Sequence, residues 1–327
     1  MRKLIMAPDD VVRDSLAGVV HAGGGRVVFD KDHRVVLSAT AGQRGRVGVV
    51  SGGGAGHEPL HAGFVGPGML DAAAVGEIFT SPNPEQILAA ISATDGGAGV
   101  VLIVKNYVGD VMNFEMAAEL AATEGHEVSL VIIADDLAGR NFLAPDQRRG
   151  LGGTILVEKV AGAMARDGAG LEEVARAARH AAAVCVSHGM AVTGPSTGDN
   201  GPSFTTKDDE FELGVGIHGE PGTELCRIAQ TNPVEKLLFP MVEALPAADA
   251  YLLITSGLGG TPLIEVSHFH AKAMDFLAKR NINVVRHLVG ELITCLDADG
   301  VTCTLAGLDE HLLDAWDAAV DTAVLSW

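Results

Sequence analysis

Through the first half of the chain, short and nearly continuous apolar runs alternate with longer alanine-rich stretches whose apolar positions recur every three to four residues. Parallel strands joined by crossover helices produce this alternation, because a strand covered on both faces has no place for polar side chains. Arg46 to Val50, Gly99 to Lys105 and Val128 to Ala134 read as strands, each ending in a polar loop. Pro84 to Ala93, Met112 to Glu124, Leu151 to Ala165 and Leu171 to Val186 read as helices. Further on, FELGVGIHG (211–219), AYLLITSG (250–257), INVVRHLVG (282–290) and VTCTLAG (301–307) read as strands, with a helix from Pro262 to Lys279 capped by Thr261.

The stretch GPSTGDNGPSF, Gly194 to Phe204, concentrates loop formers and places a domain seam nearby. The expected fold is α/β: two α/β domains with mostly parallel or mixed sheets. One spans residues 1–186 with a glycine-rich loop and Asp110, the other residues 187–327 with His218. The chain has 327 residues, 47% hydrophobic, enough for two cores of ordinary size.

Charge narrows the function. Forty-two acidic against 23 basic side chains give a formal charge of -19, which repels nucleic-acid phosphates and anionic membrane surfaces. With no apolar run long enough to cross a bilayer and an opening interrupted by Pro8 and two aspartates, the protein is expected in the cytoplasm. Four cysteines at 185, 226, 295 and 303 form no C-x-x-C pair and read as reduced, packed thiols.

Chemistry concentrates in loops that follow apolar strands, the edge where open α/β sheets bind ligands. SGGGAGHEP (51–59) has four glycines in five positions, which let backbone N–H groups approach a ligand closely, and His57 where a helix would start. It lacks the Gly-Lys-Ser/Thr of a Walker loop and the third glycine of a dinucleotide fingerprint, so it reads either as a ligand loop or as a tight turn with a structural histidine. VKNYVGD (104–110) sets Lys105 at a strand end, for an anion or carbonyl oxygen or merely solvated, and Asp110 as general base or helix N-cap. GVGIHGEPG (214–222) exposes His218 between glycines, as a reactive imidazole or an ordinary loop histidine. Two histidines and a carboxylate also make a donor set for a divalent metal, although no close pair such as H-E-x-x-H supports one and no metal is expected. SGLGGTP (256–262) reads as a phosphate cradle or packing, and Asp135-Asp136 as a magnesium pair, a cap or a solvated turn.

Taken together, SGGGAGHEP, HAGFVGPGMLDAA, IFTSPNPEQI, VLIVKNYVGDVMNFEMAAE, RRGLGGTILVEKVAGA, FELGVGIHGEPG and GLGGTP resemble the dihydroxyacetone kinase family, specifically its substrate-binding K subunit. The resemblance is closest over residues 45 to 225. It implies a kinase that phosphorylates a terminal hydroxyl of a short ketose held as a hemiaminal on His218, with His57 as acid/base or hydrogen-bonding group, Asp110 as base, and Gly54, Ala55, Gly56 and Lys105 lining the sugar site. It also implies a homodimer with no cofactor of its own. The partner is an L-type subunit carrying ADP or ATP with magnesium, recharged by a phosphotransferase-type M subunit or by nucleotide exchange. Ser256 stands where the family usually has asparagine, which keeps a four-carbon ketose such as erythrulose as an alternative substrate. A non-catalytic ketose sensor is the alternative of a different class.

Overall fold

The computed structural model describes residues 4–5, 7–139, 143–197, 201–245 and 247–327. Contacts divide them into two units that interleave along the chain. One takes Ala134–Gly153 and Ala183–His311; the other takes the residues up to Ile133, Thr154–Ala182 and Leu312–Trp327. The chain therefore changes unit four times, not once near Ser187. Local bonding shows why: the backbone of Asp135 and Leu137 pairs with Ser187, while Leu171 packs beside Gly99 and the Arg179 guanidinium donates to Ser129 Oγ at 2.8 Å. Gly194 to Phe204, expected at the seam, falls partly outside the described residues.

The first-sheet unit is built on six strands: β1 (Val27–Asp30), β2 (Val35–Ser38), β3 (Gly48–Ala55), β4 (Ala72–Ile78), β5 (Val100–Lys105) and β6 (Val128–Ile133). They lie in the order β1-β2-β4-β3-β5-β6; β4, β3, β5 and β6 run parallel, and β1 and β2 are antiparallel additions. Registry sets Ser51 beside Ile103 and Lys105 beside Ile133, bringing the ends of β3 and β5 to one edge. The helices are α1 (Val11–Ala22), α2 (Pro84–Thr94), α3 (Val108–Thr123), α4 (Gly153–Arg166) and α5 (Leu171–Ala183). Helix α2 starts where it does because Asn83 and Gln86 form a reciprocal capping box ahead of a first-turn proline. Val50, Leu102, Ile87, Ile91 and Phe114 belong to a core wholly shielded from water. Each such side chain contributes about 1.5–3 kcal/mol by burial.

The second-sheet unit holds β7 (Cys185–Thr193), β8 (Glu210–Leu213), β9 (Glu224–Arg227), β10 (Ala250–Gly257), β11 (Val284–Gly290) and β12 (Asp299–Leu308), in the order β11-β10-β12-β7-β8-β9. Only β10 and β11 are parallel; the other pairings are antiparallel. Helices α6 (Pro233–Ala244) and α7 (Leu263–Ala278) supply Leu237, Met241 and Phe276 to its core, and α8 (Glu310–Asp317) follows β12. The mixed α/β class matches the expectation. Three local expectations do not. The helix starting at Leu171 stops at Ala183, and Cys185-Val186 already belong to β7. FELGVGIHG is a strand only to Leu213, where Gly214 turns with φ +84°. Thr261 does not cap α7; its hydroxyl bonds Asp299 and Gly300 on β12 instead.

Candidate active site

The glycine run at the end of β3 is shaped by the protein around it. A Cβ on Gly53 would stand 2.6 Å from Lys105 Nζ, and one on Gly54 2.5 Å from the Thr80 amide nitrogen. Gly56 adopts φ +101°, and its N–H donates to both carboxylate oxygens of Glu58 at 3.1 Å. No helix begins at His57, contrary to expectation: a turn follows, then a single 3-10 turn over Ala62–Phe64. The His57 ring is buried and lies against Phe79 with centroids 5.2 Å apart at 23°, so stacking sets its plane.

Lys105 closes β5, but it is not solvated; it is 1% exposed. Asp110 is also buried, inside the first turn of α3, whose N-cap position is Tyr107; the N-cap reading of Asp110 is thereby corrected. Burial lowers the Lys105 pKa, and the nearby charges of Asp110 and Glu158 work against that. Behind Lys105 lies a cluster the sequence reading did not single out. Lys105 Nζ is 2.5 Å from His61 Nε2, and His61 Nδ1 is 2.6 Å from Glu158 Oε1 and 3.0 Å from Ser51 Oγ. The Ser51 hydroxyl in turn donates to the Ile103 carbonyl at 2.8 Å. Burial pushes Glu158 up to about 8 and His61 well below its usual range. The available signal was the pair Glu158-Lys159, two charges inside the apolar run ILVEKVAGA.

His218 belongs to the second-sheet unit, on the loop after β8. Glu220 folds back on it: the His218 N–H donates to Glu220 Oε2 at 2.8 Å, and the ring Nδ1 is 3.6 Å from Glu220 Oε1. Arg149 anchors the loop. Its guanidinium donates to Asp136 Oδ2 at 2.6 Å and to the Gly214 carbonyl at 2.9 Å, and lies 3.7 Å from Glu220 Oε1. Burial works to raise the Glu220 pKa, but hydrogen bonding from His218 and the Arg149 charge win and hold it at about 2. A carboxylate therefore faces Nδ1 of the imidazole. Asp136 is Arg149's partner, and Asp135 accepts N–H bonds from Leu151 at 2.6 Å and Gly153 at 2.7 Å; both are buried, so the solvated-turn reading of this pair is corrected. In the SGLGGTP loop, Ser256 Oγ accepts from the Leu292 and Ile293 amides at 3.0 Å, and a Cβ on Gly260 would meet the Asp297 carbonyl at 2.5 Å. That loop is packed by protein.

Comparison with known proteins follows the same lines. The Dak1 domain family matches residues 17–324. The chain is 41% identical, over the whole of both chains, to a Listeria innocua protein described as PTS-dependent dihydroxyacetone kinase 1, dihydroxyacetone-binding subunit DhaK. Among solved structures, the dihydroxyacetone kinase from C. freundii in complex with AMP-PNP and Mg2+ superposes with a TM-score of 0.88 at 34% identity, covering 98% of this chain and 60% of that one. A dihydroxyacetone kinase operon co-activator, Dha-DhaQ, superposes with a TM-score of 0.87 at 31% identity, covering 95% and 97%. The chain belongs to the Dak1 domain family.

Proposed function

We propose that this chain is the ketose-binding, catalytic subunit of a dihydroxyacetone kinase. The observation that carries the reading is the match of the whole chain to a dihydroxyacetone-binding subunit, alongside a His218–Glu220 pair in the second-sheet unit and a buried Lys105 and Asp110 in the first-sheet unit. His218 Nε2 attacks the ketone carbon; the C=O π pair moves to oxygen, which takes a proton from solvent. The ring holds its Nδ1 proton against Glu220 until that proton leaves, and a hemiaminal remains. Glycerol has no carbonyl and cannot be captured this way.

Asp110 then accepts the proton of the terminal hydroxyl as that oxygen attacks phosphorus, with His57 orienting the sugar and Lys105, Gly54, Ala55 and Gly56 lining its site. The reading requires one ketose to meet both His218 and Asp110. The phosphoryl donor comes from an L-type partner subunit holding ADP or ATP with magnesium; the similar C. freundii kinase, of which this chain covers 60%, is described in complex with AMP-PNP and Mg2+. The working form is a homodimer in the cytoplasm; among the described residues no helix is long and apolar enough to cross a membrane.

The test is binding and turnover with dihydroxyacetone, erythrulose and glycerol. Ketoses should bind and glycerol should not, His218→Ala should lose binding, and Asp110→Asn should bind but not turn over with the L-type partner. A crystal complex in which the ketose makes no bond to His218 removes the covalent step; normal turnover by Asp110→Asn removes the base. A second reading, a non-catalytic ketose sensor, is favoured by the similarity to the operon co-activator. It predicts ketose binding without sugar phosphate under any L-type partner and donor.

A further inference from the structure

We propose that Lys105, His61 and Glu158 form a buried proton relay that converts Lys105 between amine and ammonium without exchange with water, His61 and Glu158 acting as positioning residues for the charge presented to the sugar. This rests on the preceding reading only in what the charge is for. The geometry stands by itself, since all three groups belong to the first-sheet unit.

An imidazole lies between two ionisable groups, one at each ring nitrogen: Lys105 Nζ at 2.5 Å from Nε2 and Glu158 Oε1 at 2.6 Å from Nδ1. Exposure is 1% for Lys105, 3% for His61 and 0% for Glu158, so protons cannot be traded readily with bulk water. Two arrangements carry the same number of protons. In the neutral one, the Glu158 carboxylic acid donates to Nδ1 and the Nε2–H donates to the Lys105 amine. In the charged one, the ammonium donates to Nε2 and the Nδ1–H donates to the Glu158 carboxylate. Passing from the first to the second breaks the O–H of Glu158 and the Nε2–H, and makes Nδ1–H and a third N–H on Lys105. His61 stays neutral at both ends, in opposite tautomers.

Opposed forces keep the two arrangements close. Desolvation favours the neutral one: burial raises Glu158 and lowers Lys105, and Glu158 Oε2 is buried with no hydrogen-bond partner among the described residues. Ser51 and Asp110 favour the charged one. Hydrogen bonding from Ser51 works to lower the Glu158 pKa, and the Asp110 carboxylate attracts the ammonium. The other titratable group acting on His61 is His57, on the loop after β3. Negative charge building on a sugar oxygen or phosphate beside Lys105 then tips the balance, and the lysine acquires its charge when the substrate does.

The experiment reads the His61 tautomer directly by nitrogen-15 NMR of the ring in the full chain, with no partner and no turnover. Asp110→Asn should move His61 toward the Nε2–H form, and in Glu158→Gln, whose amide has no proton to pass to the ring, the same Asp110→Asn change should no longer convert one tautomer to the other. With the L-type partner and nucleotide, Glu158→Gln should then lower kcat about 10- to 100-fold with KM changed less than about threefold, the scale seen when a group orienting a reactive residue is lost. A His61 tautomer identical in wild type and Asp110→Asn overturns the relay, as does wild-type kcat in Glu158→Gln. A protein whose His61 responds as described but which makes no sugar phosphate leaves the relay standing and sinks the kinase reading instead.

Discussion

Replacing Glu220 by glutamine removes one charge and almost nothing else. The amide oxygen can still accept the His218 backbone N–H now bound at 2.8 Å, so the loop should hold its shape. What changes is the support for positive charge on the imidazole as Nε2 bonds to the ketone. Over the 3.6 Å between Nδ1 and Oε1, Coulomb's law gives about 1.2 kcal/mol at the dielectric of water and about 4.6 kcal/mol at an effective value of about 20. With the Glu220 side chain 32% exposed and that of His218 19%, the true figure lies well below the upper bound. An effect of about 1.4–2.8 kcal/mol corresponds to a 10- to 100-fold weaker ketose affinity. Titration calorimetry with dihydroxyacetone at pH 7.5, on wild type, Glu220→Gln and His218→Ala, measures it. Wild-type affinity in Glu220→Gln alongside lost affinity in His218→Ala would refute the role of the carboxylate.

Three further outcomes follow from the same geometry. Glu220 also links stability to pH: its carboxyl is held at about 2 against a usual 4.5, so its contribution is complete above about pH 4.5 and disappears as pH falls through about 2. Urea unfolding of wild type and Glu220→Gln should diverge at neutral pH and converge across that interval; a gap independent of pH refutes it. Gly53→Ala would set a methyl 2.6 Å from Lys105 Nζ, and the lysine, being the flexible partner, should swing away from His61. Its turnover should drop at least about tenfold while the melting temperature moves by only a few degrees. Phe114→Ala empties a fully buried site under α3 and should cost about 3–5 kcal/mol, seen as a melting temperature lower by about 10 °C.

The parallel strands β3 and β5 were legible because burial on both faces leaves them nearly continuous in apolar residues, and β6, a half-buried edge strand, because five of its six residues are still apolar. β1 and β2 were not; each has four residues and they meet across the charged turn Lys31 to Arg34, leaving no room for a periodic signal. The end of α5 was misplaced because Ala181 to Val186 continues its apolar spacing, and only pairing of Cys185 with Ala306 turns that segment into β7. Helix α6 announces itself by Asn232-Pro233, whose asparagine accepts from the Val234 and Glu235 amides. Chemistry carried by short motifs, at His57, Asp110 and His218, stood out because its residues lie close together in sequence. His61 and Glu158 are 97 residues apart, and nothing local in either segment reveals the other.

The first-sheet unit completes itself with residues far along the chain. Arg26 reaches Asp321 at 3.0 Å, the Lys159 ammonium donates to the Ala315 carbonyl at 2.6 Å, and the Asp321 amide bonds the Pro67 carbonyl at 2.9 Å. During synthesis, a ribosome that has released Val27 to Ile133 has made every strand of this sheet but none of the segment that seals its flank. Nascent chains therefore wait through nearly two hundred further codons with that surface open, an interval in which chaperone capture competes with premature association.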